Sequence, residues 1–566
     1  MTRLLFNADV RTMDAAGTVG DALAWRDGRL LAVGARSDVE RLAGAGAETW
    51  DAGGATVLPG FIDAHHHPSI VALYGGLARL APPAVTDIAS LQRALAAASA
   101  ELPPGRWLFA TGWDEALLAE HRAPTRAELD DAVPDRPLMA MHYSCHRALA
   151  NSRALELAGI GKDTPQPSGG MISRDAKGLP DGLLIERGMS RVETLARGSL
   201  CAHDLEGFVT RLAEHHRAMA AAGITRVVDA TVPTDVIVLY REAARRGLLT
   251  VPTIMFPVST SGYLETPWEA LDGPKTGHEE GPLTVGPVKL VFDGAPGCAM
   301  CLGWWQVAGG TLHAWAMALR QGSLAPVRNM LSLQPRVGLS IRTGISIYRR
   351  DEAREIVQAA VDRGFALATH AIGNDAIDVA LSAYEAAGAS LGAAGIPRIE
   401  HGTFLDRELV RRIAGLGVAV VTQPHFMSMP AYGAAPSIPG LRNAPLRWLL
   451  DAGAKVAGSS DFPVAGFDPL DGIRSAVTRR TSRGHAYEPD QRIELDEALV
   501  LYTRAAAEAC ACLDRCGTLE AGKRADLVVL DGPLGSGKDL DSARIRATVI
   551  GGDVVFGQPS HQAAGR

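Results

Sequence analysis

Residues 60–68 read Gly-Phe-Ile-Asp-Ala-His-His-His-Pro, three consecutive histidines closing an apolar run. In an extended strand alternate side chains face the same way, so His65 and His67 project together while His66 points elsewhere. Such a pair either binds a metal or is buried against hydrogen-bond partners. Three residues far along the chain could join it: His370 in Ala-Thr-His-Ala, His401 in Arg-Ile-Glu-His, and Asp461 in Ser-Ser-Asp-Phe. Neutral imidazoles and a carboxylate suit a divalent ion such as zinc. As mere packing, four histidines and a carboxylate on one rim would each need a buried partner. A metal site is therefore the expectation.

These residues converge only if the chain folds back repeatedly, and its apolar pattern supplies the elements. Strand candidates fall at 56–65, 224–231, 250–258, 288–294, 365–372, 398–403, 418–424 and 454–464, numbered 1 to 8 below. Helical patterns such as 352–364 separate most of them. Eight strands in βα alternation predict an α/β fold, a (β/α)8 TIM barrel with its site at the strand ends. His65 and His67 end strand 1, His370 closes strand 5, His401 closes strand 6, and Asp461 lies near the end of strand 8. The gap at about 69–215 predicts an inserted subdomain after strand 1. The first 55 residues alternate apolar and polar, with a hairpin expected around Asp27-Gly28. Residues 525–532 and 547–557 share that texture, so a small β-sandwich domain built from both termini is expected. The expected boundaries are 1–55, 56–510 for the barrel with its insertion, and 511–566.

Bulk properties narrow the function class. Hydrophobic residues make up 47% and charged residues 21% of 566 residues, an ordinary globular balance. A net charge of −7 without a basic stripe argues against nucleic acid as a partner. Seven cysteines do not describe a disulfide framework. Cys298-Ala-Met-Cys301 and the group Cys510, Cys512 and Cys516 each lack the second half of a metal motif. The N-terminus turns polar at Asn7, too early for a signal-peptide core, and no apolar run approaches the roughly 20 residues of a membrane span. The expectation is a cytoplasmic protein acting on a small molecule, with no nucleic-acid or membrane partner and with room for homo-oligomers.

His-x-His on strand 1, lysine on strand 4, histidines on strands 5 and 6 and aspartate on strand 8 together resemble the amidohydrolase superfamily. The resemblance spans nearly the whole chain, including GTLEAGKRADLVVLD (517–531) in the terminal domain. GWDE (112–115), HRALANSRAL (146–155), AAGITRVVDA (221–230), GPVKLVFDG (286–294) and HAIGND (370–375) resemble the branch with the N-substituted formamide deformylases, amidohydrolase family 3. It implies that Lys289 takes up CO2 as a carbamate, a carboxylated lysine bridging two metals. The chain has seven lysines against 49 arginines, and arginine cannot form the carbamate, which favours that role over a chance surface lysine. On this pattern His65 and His67 bind one ion, His370 and His401 the other, and Asp461 sits beside the first. Zinc lowers the pKa of bound water from 15.7 to about 7, and two ions about 3.5–4 Å apart can hold hydroxide and polarise a carbonyl. Asp461 would take the proton as general base and return it to the departing amine as general acid.

Trp113, Asp114 and His146 match the branch as substrate-binding candidates, and His425 just past strand 7 is another. Asn151 before RALELAGI also reads as an ordinary helix cap. Two departures bear on substrate: EALLAEHR (115–122) lacks the branch's aromatic, and Tyr-Ser-Cys stands before His146 where relatives carry Asp-Gly. Residues 295–345, with Trp304, Trp305 and Trp315, read as an apolar lid or as helix packing, and 259–287 as a lid or a connector. Three functions compete. The first is hydrolysis of an amide-type C–N bond in an N-substituted formamide or other N-acyl amine. The second is deamination of a nitrogen heterocycle, where Gly373 stands in place of the glutamate such deaminases carry. The third is a non-catalytic binding or regulatory protein on the same scaffold.

Overall fold

The computed structural model describes residues 1–294, 298–321, 327, 336–338, 340–429, 437–532, 534 and 539–559. The role foreseen for 295–345 falls partly outside them. Seven of the expected strands are Phe61–His66, Ile224–Pro233, Thr253–Val258, Leu367–Ala371, Arg398–His401, Ala419–Thr422 and Lys455–Gly458. Their residues are buried almost without exception, as parallel strands covered on both faces require. Strands 1, 2 and 3 pair in parallel in one sheet, and strands 5, 6, 7 and 8 in another.

Strand 4 comes in two pieces. Leu283–Val285 pairs with strand 3, whereas Val288–Val291 pairs with strand 5. Between them Pro287 has no N–H to continue a ladder. Gly286 N donates to Met255 O at 2.8 Å and Val288 N to Ala366 O at 2.9 Å, so the chain passes from one sheet to the other here. On the opposite side Asp461 N donates to His65 O at 2.8 Å, bringing the end of strand 8 against strand 1.

Strand 1 is also shorter than the 56–65 expected. Residues up to Pro59 belong to the terminal sheet, where Pro59 pairs with Leu527. The break falls at Gly60, where a Cβ would lie 2.1 Å from the Thr225 side chain. Both termini share one seven-stranded sheet, ordered Asp553–Gly557, Ile545–Ile550, Leu527–Leu530, Glu48–Pro59, Thr2–Arg11, Val19–Arg26, Arg29–Gly34. Positive φ at Asp27 and Gly28 makes its expected hairpin turn. Trp25 donates from its indole to Gly552 O at 3.1 Å, joining strands that are far apart in the sheet order.

Within the expected insertion, 69–215, the chain forms a sheet of its own. Its six strands lie between Ala78 and Glu186 over a core including Leu91, Trp113, Leu129 and Leu149. The Leu205–Ala221 helix already packs with strand 2, burying Met219 and Ala220 beside Ile224 and Val227. The Arg350–Asp362 helix buries Ala353, Ile356, Val357, Ala360 and Val361, the one-face spacing read in the sequence. Each large apolar side chain buried this way contributes about 1.5–3 kcal/mol. Among the described residues no helix is long and apolar enough to cross a membrane.

Candidate metal centre

His65, His67 and Asp461 each present a ligand atom within 4.8 Å of the others. Asp461 Oδ1 lies 3.0 Å from His67 Nε2 and 3.4 Å from His65 Nε2. The His401 ring lies 4.9 Å from that of His65, tilted, and 4.4 Å from that of His370, edge to face. Lys289 is buried on strand 4, one strand from His370, and the charges of Glu400 and Asp461 act on it. Five strands thus carry or lead into the six residues, with Lys289 two residues below the level of His370. His401 and Asp461 sit at φ 71° and 57°. Such left-handed positions cost non-glycine residues about 1–3 kcal/mol and persist where surrounding structure imposes them.

What stands behind the donors fixes their orientation. His65 Nδ1 is hydrogen bonded to Glu400, itself clamped by Arg398 through contacts of 2.8 and 2.9 Å. Arg398 also donates to Ala64 O at 2.7 Å, pinning strand 1 to strand 6. With Nδ1–H donating to a carboxylate, His65 Nε2 keeps its lone pair for the cluster. His401 Nδ1 pairs with Gln423 Oε1 at 2.9 Å, which leaves His401 Nε2 free in the same way. Asp63 accepts from Ser460 N at 3.0 Å and from the Ser460 hydroxyl, so the residue before Asp461 is tied to the residue two before His65. Asp293 accepts from Ala299, Ile372 and Gly373 backbone N–H groups at 2.8–3.0 Å, and its Oδ1 lies 3.5 Å from His370 Nε2.

Electrostatics follow from this burial. Desolvation pushes the Lys289 amine down to about 8, against the pull of Glu400 and Asp461. A neutral amine is the form that reacts with CO2. Burial also pushes His401 down to about 3 and His370 well below its ordinary value, which keeps both imidazoles neutral. Burial opposes the charge of Asp461, yet the adjacent His65 and His67 rings hold it well below the usual carboxylate range. Burial raises Asp293 to about 7 despite its three backbone donors. His67 Nδ1 and His370 Nε2 are buried without a hydrogen-bond partner. Neutral imidazoles, an ionised carboxylate and orphaned ring nitrogens fit a divalent cation.

The second group of sequence candidates separates. His146 is brought in: its ring lies 5.6 Å from that of His370, and its Nδ1 pairs with Glu186 at 3.0–3.1 Å. Burial works against protonation of His146, but Glu186 raises it. Trp113 is instead a core residue of the insertion, fully buried, with its indole N–H donating to Ala140 O at 2.9 Å. Asp114 caps the 3-10 turn Glu115–Leu117 through Ala116 N. His425 Nε2 lies 2.8 Å from Asp468 O and its Nδ1 3.3 Å from Ser459 O, a pin between segments after strands 7 and 8. Asn151 caps Ser152–Leu157 and meets four backbone groups. His66 faces away, bonded to Asp63 and to His215, with its ring 5.3 Å from that of Phe462.

Glu400, Arg398, Asp63, Ser460, Gln423, Asp293 and Glu186 were missed from sequence. A signal existed for three of them. Charged residues inside strands buried on both faces must be paired, and Asp63, Arg398 and Glu400 all sit in such strands.

Comparison with known proteins agrees with this architecture. The model of an amidohydrolase family matches residues 48–556. The N-substituted formamide deformylase of Arthrobacter pascens is 31% identical over 543 residues, covering 93% of each chain. An uncharacterized metal-dependent hydrolase from Pyrococcus horikoshii OT3 superimposes with a TM-score of 0.68 at 22% identity, covering 94% of this chain and 98% of that one. One from Pyrococcus furiosus gives 0.66 at 24% identity, covering 94% and 99%.

Proposed function

We propose, on the premise that this chain belongs to the amidohydrolase family, that it hydrolyses a non-peptide amide-type C–N bond, with N-substituted formamides as the first substrate class. The two parallel sheets are the two arcs of one (β/α)8 barrel, flanked by a β-sandwich from both termini and carrying the insertion after strand 1. The observation that carries the reading is the convergence of His65, His67 and Asp461 within 4.8 Å, with Lys289, His370 and His401 around them. These six residues would hold one or two divalent ions, zinc by the chemistry of the donor set, with Lys289 contributing as its carbamate. Such a metal supplies Lewis acidity, acidifying a water and polarising a carbonyl.

The chain's own residues do the rest. Asp461, held ionised by His65 and His67, accepts a proton from the water that adds to the carbonyl carbon. It then delivers that proton to the nitrogen as the C–N bond breaks, so that an N-substituted formamide and water give formate and an amine. Glu400 and Gln423 fix the tautomers of His65 and His401. His146, whose protonation Glu186 favours, lies beside His370 and is placed to meet the substrate.

The deaminase reading loses ground on one observation. A Cβ at Gly373 would lie 1.9 Å from Ala299 O, so the position that needs a proton-shuttling glutamate has no room for a side chain. The test is amine release by metal-loaded protein across N-substituted formamides and longer N-acyl amines. Formamide turnover that disappears in Asp461→Asn supports the proposal. No release from protein shown to contain metal refutes the substrate class.

A further inference from the structure

The Trp304–Gln321 helix carries its large apolar side chains on the outside. Trp304 is 55% exposed, Trp305 62%, Leu312 73%, Trp315 49% and Leu319 83%, while the small Gly310, Ala314 and Ala318 face inward. An ordinary surface helix is built the other way, with its large residues toward the core. At about 100° per residue these five, together with exposed Ala308, fall within one arc of about 100°. No Asp, Glu, Lys or Arg occurs from Trp304 to Leu319. Stripes of this kind mark interaction sites.

We infer that this stripe is an interface between two copies of this chain, paired through antiparallel Trp304–Gln321 helices. Three features select a second copy. First, four of the six stripe positions are related about a point between Thr311 and Leu312. Trp304 and Leu319 are equidistant from that point, and so are Ala308 and Trp315. A twofold axis there sets Trp304 of one copy against Leu319 of the other, and each Trp315 ring over the other copy's Ala308, large against small. That is the self-complementarity an isologous contact requires, at heptad-like spacing. Second, a helix lying on a membrane surface carries Lys and Arg on its polar face, whereas no residue of this helix from Trp304 to Leu319, on or beside the stripe, is Lys or Arg. Third, the exposed area of the five residues is on the order of 600–700 Å², close to the ~800 Å² each partner gives a standard interface.

The test is the solution mass of the full chain at micromolar concentration by light scattering on a sizing column. The expected value is twice the 59.6 kDa of one chain. Leu312→Glu and Trp315→Glu each return it to one chain mass with an unchanged circular-dichroism spectrum. Val238→Glu, at an exposed site on another helix, leaves the dimer intact. A wild-type chain at single mass overturns the inference, as does a dimer that survives both stripe substitutions. Single-mass protein that co-sediments with phosphatidylcholine–phosphatidylserine vesicles overturns it in favour of a membrane surface.

Discussion

Two clusters in this molecule offer the same kinds of donor atom within 4.8 Å of one another: His65, His67 and Asp461 at the strand ends, and Asp114, Glu115 and His142 in the insertion. They differ in what already occupies them. In the insertion Arg147 donates to both Glu115 oxygens at 2.6 and 2.9 Å and reaches His142 Nε2 at 2.8 Å. Against the effect of burial, His142 and Arg147 bring the Glu115 carboxyl down to about 2. Asp114 is spent on a helix cap. At the strand ends the partners of the Asp461 carboxylate among the described residues are imidazoles, and Glu400 and Asp63 brace the donors from behind. A donor count alone therefore does not make a metal site. A guanidinium hydrogen bonded to its donors closes one cluster, while bracing without such a guanidinium leaves the other open.

The comparison breaks most decisively through its two aspartates. Asp461→Asn keeps shape and burial but cannot accept a proton. Its kcat is expected to fall by about 10²–10⁴-fold, the usual worth of a general base, while metal content by mass spectrometry stays close to wild type. Asp114→Asn is expected to leave kcat within about twofold. If both variants lose activity alike, the two clusters do not differ as argued.

Chelation comes next. Stripping divalent ions is expected to abolish amine release and lower the melting temperature, and refilling with zinc to restore both. A ligand present at a thousand times its dissociation constant stabilises the folded state by about 4 kcal/mol. Asp114→Asn is expected to show the same metal-dependent shift, since its cluster holds none of the metal. Glu400→Gln tests the bracing itself: loss of the carboxylate behind His65 is expected to cost 10–100-fold in metal affinity or activity, read by competition with a chromogenic chelator.

How far the sequence foretold this arrangement varied with what each residue's signal depends on. The strands behind His65, His370, His401 and Asp461 were legible because continuous apolar runs leave little choice but burial on both faces. Strand boundaries were less so: Gly60 and Pro287 interrupt runs that look continuous, for reasons that lie in the approach of Thr225 and the change of sheet at Met255 and Ala366. The bracing residues were harder. Glu400 sits beside His401 in plain view, but its partner His65 is 335 residues away. Trp113 erred in the opposite direction, because an aromatic in a shared motif reads the same whether it lines a pocket or fills a core.

The smallest expected effect would sharpen the comparison most. Arg147→Gln keeps a side chain of similar reach but withdraws the cation from Glu115 and His142. If the guanidinium is what closes that cluster, the variant should gain a weak divalent-ion site, seen as a zinc-dependent rise in melting temperature beyond that of wild type. The gain should stay small, because no carboxylate braces His142 as Glu400 braces His65: its Nδ1 is spent on the Ser144 hydroxyl at 2.8 Å. Activity should stay within about twofold, since nothing at the strand ends touches Arg147 among the described contacts. No added zinc response would mean that bracing from behind, rather than the absence of a guanidinium on the donors, decides which of two similar donor sets can hold a metal.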